Sequence, residues 1–420
     1  MANVDTSTFD SEYFKSYDSL FGGRWHFRWS AWRALALGLV GLLVFAIFYR
    51  LILGLGPATN LNDHWPWGLW IAFDDLSGIA LAAGGFLTTF LAHILNIKKY
   101  KNIARAALIT SLFGYLIVSI GVLMDLGRWY NFWRPLVFWG YHSWLFVVLW
   151  CVILYLNVQI LQMGHIVFER VNAPKLKKIF DGILPVLFVV GIMIACVHQS
   201  ALGALYIAMI DRQNPLWWSM LLPLFFVLSA FFVGAAMCVV EGSIASKAYK
   251  MDFRHEMPLV VPVMKIGMWA MIVYFVLRMV DLLYRGHFMD MFKFDLESNL
   301  FLLEIVLGVI VPIILISKPN IRNSVPGIVT AAVLVVGGVI LNRMNVVFTS
   351  MGDAMLGHYF PYWVEFAISI GLVSFLLLAY CFIVENFKIF PDEHEHGHGH
   401  GHDPGPDIGD AHEVVHGHGH

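Results

Sequence analysis

The sequence predicts an all-α integral membrane protein with ten transmembrane helices, and three observations carry that prediction. Of the 420 residues, 59% are hydrophobic and 13% charged, with a mean hydropathy of +0.71. That leaves too little polar surface for a water-soluble chain of this length. Ten apolar runs reach bilayer length, at 32–54, 66–95, 104–127, 135–163, 180–208, 216–246, 259–285, 297–316, 326–347 and 359–386. The loops between them alternate between basic and nearly uncharged, the mark of a multi-pass protein.

In chain order, residues 1–31 are mostly polar and read as a cytoplasmic or interfacial segment. The stretch 21–32 mixes aromatics with arginines, as segments lying along headgroups do. A cleavable signal would instead open on a short basic region. Loops after even-numbered spans hold Lys98, Lys99, Lys101 and Arg105, then Arg170, Lys175, Lys177 and Lys178, then Lys247, Lys250 and Arg254, then Lys318 and Arg322. The opposite loops hold little beyond Arg134, Arg212, Arg285 and Lys293. Both termini are therefore expected on the cytoplasmic side. The tail 391–420 is rich in His, Gly and Asp, carries half of the eighteen histidines, and reads as disordered.

An internal repeat divides the membrane domain 32–390. Spans 2 and 6 each open after a proline with paired tryptophans, Trp67 and Trp70 in one, Trp217 and Trp218 in the other. Spans 3 and 7 each end on an aspartate followed by an arginine, Asp125 with Arg128 and Asp281 with Arg285. An offset of four helices preserves orientation, so a parallel duplication is expected. Spans 2–5 (66–208) and 6–9 (216–347) would form two four-helix bundles, with spans 1 and 10 peripheral.

Ionisable side chains are costly in a bilayer, about 2.5–3.5 kcal/mol each at mid-membrane on insertion scales. Orientation places Asp74 on span 2, Asp125 and Arg128 on span 3, His142 two turns into span 4, and His198 with Gln199 on span 5, all in the outer half. On span 2, Trp67, Trp70, Asp74, Gly78, Ala82 and Gly85 share a helical face, with Asp75 rotated about 100° away. Tyr141 adjoins His142. The second bundle carries Arg278, Asp281, Glu304, Arg343 and Asn345, which read as interhelical pairs, and Glu241 sits near an inner helix end.

Aromatics beside imidazole and carboxylate, open to lipid, suit an isoprenoid quinone. Its ring oxygens need hydrogen-bond donors and its reduction needs two protons. The four cysteines lie singly in apolar runs, which encodes no iron–sulfur cluster, and a net charge of −2 gives no nucleic-acid footprint. Electrons must then come from a partner. A proton path from the cytoplasm would run by Thr89, His93, Ser119, Tyr115 and Tyr155, although hydroxyls in helices commonly bond their own backbone. Two other readings stand beside this one. The chain could be a b-type cytochrome anchor with His142 and His198 on haem, or a secondary transporter, whose sites sit at mid-depth.

The stretch Trp67-Gly68-Leu69-Trp70-Ile71-Ala72-Phe73-Asp74, the stretch His198-Gln199-Ser200-Ala201-Leu202-Gly203, the run Leu341-Asn342-Arg343-Met344-Asn345, and Tyr359-Phe360-Pro361 before Glu365 together carry a resemblance. The chain resembles the NrfD/PsrC family of quinone-interacting integral membrane subunits, the polysulfide reductase type, over nearly all ten spans. The menaquinone reductase (Qrc) branch is the first relative the pattern suggests. The resemblance implies a menaquinone site in the first bundle near the periplasmic face of a bacterial inner membrane. It also implies no haem or iron–sulfur cluster in the chain itself. A periplasmic iron–sulfur subunit would dock above the site, fed by a multihaem cytochrome c or a molybdopterin-family subunit.

Overall fold

The computed structural model describes residues 27–82, 88, 90–91, 97, 100–170, 173–249, 252–352, 354–355, 359–387 and 389. The segment 1–26, the tail, and Gly85, Thr89, His93, Lys98, Lys99 and Lys250 lie outside them. Among the described residues there is no strand, and nine helices are long and apolar enough to cross a membrane. The protein is a multi-pass integral membrane protein.

Chain order gives α1 (Ala31–Leu53), α2 (Trp70–Ser77 continued by Gly78–Leu81), α3 (Lys101–Asp125), α4 (Trp144–Arg170) and α5 (Pro174–Ile207). There follow α6 (Leu222–Ala248), α7 (Met257–Tyr284), α8 (Leu296–Ser317), α9 (Val325–Gly352) and α10 (Trp363–Asn386). Most of the remainder of the expected second span, 83–87, 89 and 92–95, falls outside the described residues. Local sequence fixes the ends. Prolines open α5, α6, α7 and α9, where their missing N–H has no intrahelical partner to lose. Asp295 accepts from the Ser298 amide at 2.8 Å to cap α8, and Ser324 accepts from Gly327 at 3.2 Å to cap α9. Gly54 and Gly286, at φ +91° and +77°, end α1 and α7 in the conformation that glycine tolerates best.

One expected boundary is corrected. The apolar run places the start of span 4 at 135, but α4 begins at Trp144, and 126–143 forms only short turns. Pro135 permits a first turn, Phe138 is extended, and Gly140 follows, so no helix propagates. Tyr141 and His142 thus precede the helix, on an exposed aromatic loop with Tyr130, Trp133 and Trp139.

The packing also revises the expected layout. The helix pairs α2–α3, α3–α4 and α4–α5 touch in sequence, as do α6–α7, α7–α8, α8–α9 and α9–α6. However, α6 packs on α5 and α2, α9 packs on α2, and α10 packs on α3 and α1. Spans 1 and 10 are therefore not peripheral to the groups of interest. Their far ends are clamped by Arg33, whose Nη1 donates to Glu385 Oε2 at 3.0 Å with both side chains buried.

Three helices carry π-helical turns, at Trp70–Ser77, Val306–Ile310 and Asn345–Thr349, and those of α2 and α9 touch each other. A π turn inserts a residue into the helical register and is frequent at functional sites. In α2 it changes which side chains point inward.

Candidate functional site

The α2–α3 seam sets the geometry. A Cβ on Gly121 would lie 3.1 Å from that of Asp74, one on Gly78 would meet Val118 at 3.1 Å, and one on Gly114 would meet Ala82 at 3.0 Å. The small residues of α2 thus seat it against α3 and carry Asp74 into the interior, 2% exposed. Ser369 of α10 donates to Asp74 Oδ2 at 2.6 Å, while Asp74 Oδ1 has no partner.

The π register turns Asp75 inward as well. It is 4% exposed, its Oδ1 is unpartnered, and it lies within electrostatic range of Asp125 and Asp74. Asp125 Oδ1 is likewise buried without a partner. Asp125 and Arg128, three residues apart, do not pair with each other. The helix stops at Asp125, Leu126 is extended, and Arg128 is exposed. The cation near Asp125 is Arg50 of α1, fully buried, whose Nε donates to the Met124 carbonyl at 2.8 Å and Nη2 to that of Leu126 at 2.5 Å.

Around these acids the end of the bundle opposite the basic loops is aromatic. Tyr359 stacks on Trp65 at 5.8 Å and Phe348 at 5.6 Å, and its hydroxyl accepts from the Leu69 amide at 3.1 Å and donates to Glu365. Glu365 also accepts from the Tyr362 and Asn60 amides, and Trp70 Nε1 donates to its carbonyl at 3.3 Å. Trp67 meets Tyr206 edge-on at 5.5 Å, and the buried Tyr206 hydroxyl is unpartnered.

On α5, His198 is fully buried beside Tyr115, centroids 5.7 Å apart, and neither ring nitrogen has a partner. Gln199 is 2% exposed, and neither its oxygen nor its nitrogen is bonded. Tyr115 and Tyr155 meet at 4.2 Å, whereas Ser119 donates to its own helix at Tyr115 O, 2.7 Å away. The structure thus buries Asp74, His198, Gln199 and Trp70, half-buries Asp125 and Trp67, sets Trp70 against Leu43 and Val364 in a core cluster apart from that of Trp67, and leaves Tyr141 and His142 on the exposed loop, their rings 4.2 Å apart.

Sequence reasoning missed Arg50, Tyr206 and Ser369 and undervalued Asp75. A lone arginine in an otherwise apolar run was the available signal for the first. Among the described residues no group of three or more His, Cys, Asp and Glu is arranged to hold a metal ion.

The second half contrasts with the first. Glu304 of α8 accepts from Asn342 at 2.7 Å, Trp217 at 3.0 Å and Asn345 at 3.1 Å. Arg343 donates to Asn342 and Ser229, each at 2.6 Å, and lies 3.6 Å over the Phe226 ring. Arg278 donates to the Leu216 carbonyl at 2.7 Å. Asp281 pairs with Arg285 at 2.8 Å.

The sequence profile of the family described as polysulphide reductase, NrfD, matches residues 57–352. The chain belongs to the NrfD family. It is 30% identical over 357 residues, 84% of this chain and 91% of the relative, to an Escherichia coli K12 protein named "Probable Ni/Fe-hydrogenase 2 b-type cytochrome subunit". It is 28% identical over 402 residues to the menaquinone reductase integral membrane subunit of Nitratidesulfovibrio vulgaris, covering 86% of this chain and 92% of that one. A selenate reductase subunit from Mesobacillus selenatarsenatis is 25% identical over 404 residues, 84% and 92% of the two chains. This NrfD protein thus resembles the membrane subunits of multi-subunit reductases along nearly its full length.

Proposed function

We propose that this chain is the quinone-binding membrane subunit of a multi-subunit respiratory oxidoreductase. It exchanges electrons between a periplasmic iron–sulfur partner and menaquinone, at the end opposite the basic loops. The observation that carries the reading is the row of buried, unpartnered polar atoms on α2, α3 and α5: Asp74 Oδ1, Asp75 Oδ1, Asp125 Oδ1, both His198 nitrogens and the Gln199 amide. Buried polar groups without partners are costly and in native proteins call for an explanation. A quinone carbonyl, an acceptor that becomes a hydroxyl donor on reduction, is chemically matched to such carboxyl, imidazole and amide groups.

The roles follow from placement. Asp74, Asp75 and His198 hold or deliver the protons, Gln199 orients a ring oxygen, and Trp67, Trp70 and Tyr206 flank the flat ring. Arg50 offsets part of the negative charge of Asp125. Tyr141 and His142, on the loop at the same end, would meet a headgroup as it arrives, and Arg128 with the exposed loop would face the docking partner. A multihaem cytochrome c or a molybdopterin-family subunit would feed that partner. The basic loops then face the cytoplasm, as do both termini, and the membrane is the bacterial inner membrane. The redox centres reside in the partners, so the chain alone is not expected to turn over substrate.

Asp74→Asn and His198→Gln, each in the purified complex, test this. Loss of a proton-transfer group is expected to slow quinone turnover about 10²–10⁴-fold while the complex still assembles. Wild-type rates in both variants would place the site elsewhere. The name of the Escherichia coli relative favours a second reading, a haem-bearing anchor. An absorption spectrum of the purified chain separates the two, since a redox-sensitive Soret band would replace the quinone assignment of His198.

A further inference from the structure

The profile that places the chain in its family ends at residue 352, and α10 lies wholly beyond it. Yet α10 reaches α2 on two successive rungs. The Trp70 indole N–H donates to the Glu365 carbonyl at 3.3 Å, and one turn along the Ser369 hydroxyl donates to Asp74 Oδ2 at 2.6 Å. Trp70 and Asp74 are four residues apart, as are Glu365 and Ser369, so one face of each helix meets the other in register. Both rungs fall inside the π turn Trp70–Ser77, which Ser77 locks from within by donating to the Ala72 carbonyl at 2.9 Å.

The rungs stand on a fixed support. At the end opposite the basic loops, Glu365 accepts from the Tyr359 hydroxyl and from the Asn60 amide at 3.3 Å, and a Cβ on Gly68 would lie 2.9 Å from its Oε2, so the start of α2 abuts it. Two residues past Ser369, a Cβ on Gly371 would lie 3.1 Å from the Leu39 carbonyl oxygen, which seats α10 directly on α1. At the far end Arg33 Nη1 donates to Glu385 Oε2 at 3.0 Å. Ser369, 3% exposed, therefore has a set depth and facing.

A helical serine commonly bonds the carbonyl four residues back, as Ser119, Ser317 and Ser374 do at 2.7–2.8 Å. For Ser369 that carbonyl belongs to Glu365, which serves the amide of its own helix and the Trp70 indole as well. Both of its lone pairs are taken. The hydroxyl turns to Asp74 instead, and a carboxylate held at one oxygen is restrained from rotating. Its other oxygen, Oδ1, is left buried and without a partner. We propose that Ser369 is a positioning residue of the quinone site, holding the Asp74 carboxylate by Oδ2 so that Oδ1 meets a ring oxygen. This rests on the quinone reading above. Ser369 passes no proton and touches no ring; it acts through Asp74, whose usefulness depends on being held close to its working geometry.

The test measures kcat/KM of the purified complex with a water-soluble menaquinone analogue, for wild type, Ser369→Ala, Asp74→Asn and the double variant. Ser369→Ala should assemble, as read by size-exclusion chromatography, yet lose about 10²-fold, the scale of a misplaced reacting group. The double variant should be no slower than Asp74→Asn alone, because a residue that acts only through Asp74 then has nothing left to position. A packing role would multiply the two losses instead. Wild-type kcat/KM in Ser369→Ala, or multiplied losses in the double variant, overturns the proposal and leaves the quinone reading standing. Should Ser369→Ala fail to assemble, Ser369→Cys, close in size and a weaker donor, takes its place under the same criteria. Failure of both to assemble makes Ser369 a folding residue and also overturns the proposal. Wild-type rates in both Asp74→Asn and His198→Gln remove the quinone reading, and the proposal with it.

Discussion

Glu304→Leu tests whether the second half is a structural network rather than a second ligand site. The carboxylate accepts three hydrogen bonds at 2.7–3.1 Å, from Asn342 and Asn345 of α9 and from Trp217 ahead of α6. Leucine has nearly the same bulk and leaves all three donors without an acceptor. Each unsatisfied buried donor costs about 1–3 kcal/mol, which gives about 3–9 kcal/mol before relaxation. Arg278 and Arg343, both about 1% exposed, also lose a nearby negative charge. These overlap and do not add. A loss of about 4 kcal/mol, a factor of roughly 10³ in the folded ratio, is the conservative expectation. Glu304→Gln keeps one acceptor oxygen and should fall between. Thermal melts of detergent-solubilised protein, read by size-exclusion chromatography, should rank wild type above Gln above Leu. A Glu304→Leu protein as stable as wild type would refute the reasoning, and a stable Glu304→Gln protein with abolished quinone turnover would make the network part of the site.

Two further outcomes are expected. Gly121→Val forces a branched side chain to where Asp74 sits 3.1 Å from a bare Cβ. Overpacking of this kind costs about 1–3 kcal/mol, and displacing Asp74 from Ser369 should weaken quinone binding more than the fold, measured as a rise in KM larger than the drop in melting temperature would explain. In the loop after α7, Lys293 at 2.8 Å and then His287 at 2.7 Å hold the Asp290 carboxyl below its ordinary value of 3.8. Its contribution to loop order is therefore complete above that value and fades as pH falls through it toward the lower folded value. Hydrogen exchange across 287–295 should accelerate only in that acid window. Asp290→Asn should remove the pH dependence, and an unchanged acid response in the variant would assign it to another group.

The helices were legible because bilayer insertion constrains composition over twenty residues at a time, and α1, α3 and α7–α10 start within a few residues of where the apolar runs place them, whereas α5 starts early, at Pro174 instead of 180, and α6 late, at Leu222 instead of 216. What the sequence could not convey is register. Helical-wheel reasoning at 100° per residue put Asp75 off the working face of span 2, and a π turn over Trp70–Ser77 puts it on that face. The same reasoning carried span 4 back to 135 because the aromatic stretch 129–144 is as apolar as a helix, although Gly140 and the extended Phe138 break it. Partners across distant sequence were equally hidden. Nothing local to Ser369 says that it donates to Asp74, and nothing local to Arg50 says that it holds the carbonyls flanking Asp125.

The contrast between Asp125 and Asp281 shows how little separates an open acid from a closed pair. Each stands near the end of its helix, α3 in one half and α7 in the other, with an arginine three or four residues on. In the second half α7 continues to Tyr284, so Arg285 stays one turn above Asp281, pairs with it, and donates at 2.8 Å to the Pro215 carbonyl. In the first half α3 ends at Asp125 itself. Leu126 turns extended, Arg128 leaves the helical face, and the carboxylate keeps an oxygen without a partner. One additional turn on α3 would bring Arg128, three residues on, to the face of Asp125 and close it as Asp281 is closed. Helix termination, rather than residue type, is thus what leaves Asp125 without the pairing that closes Asp281.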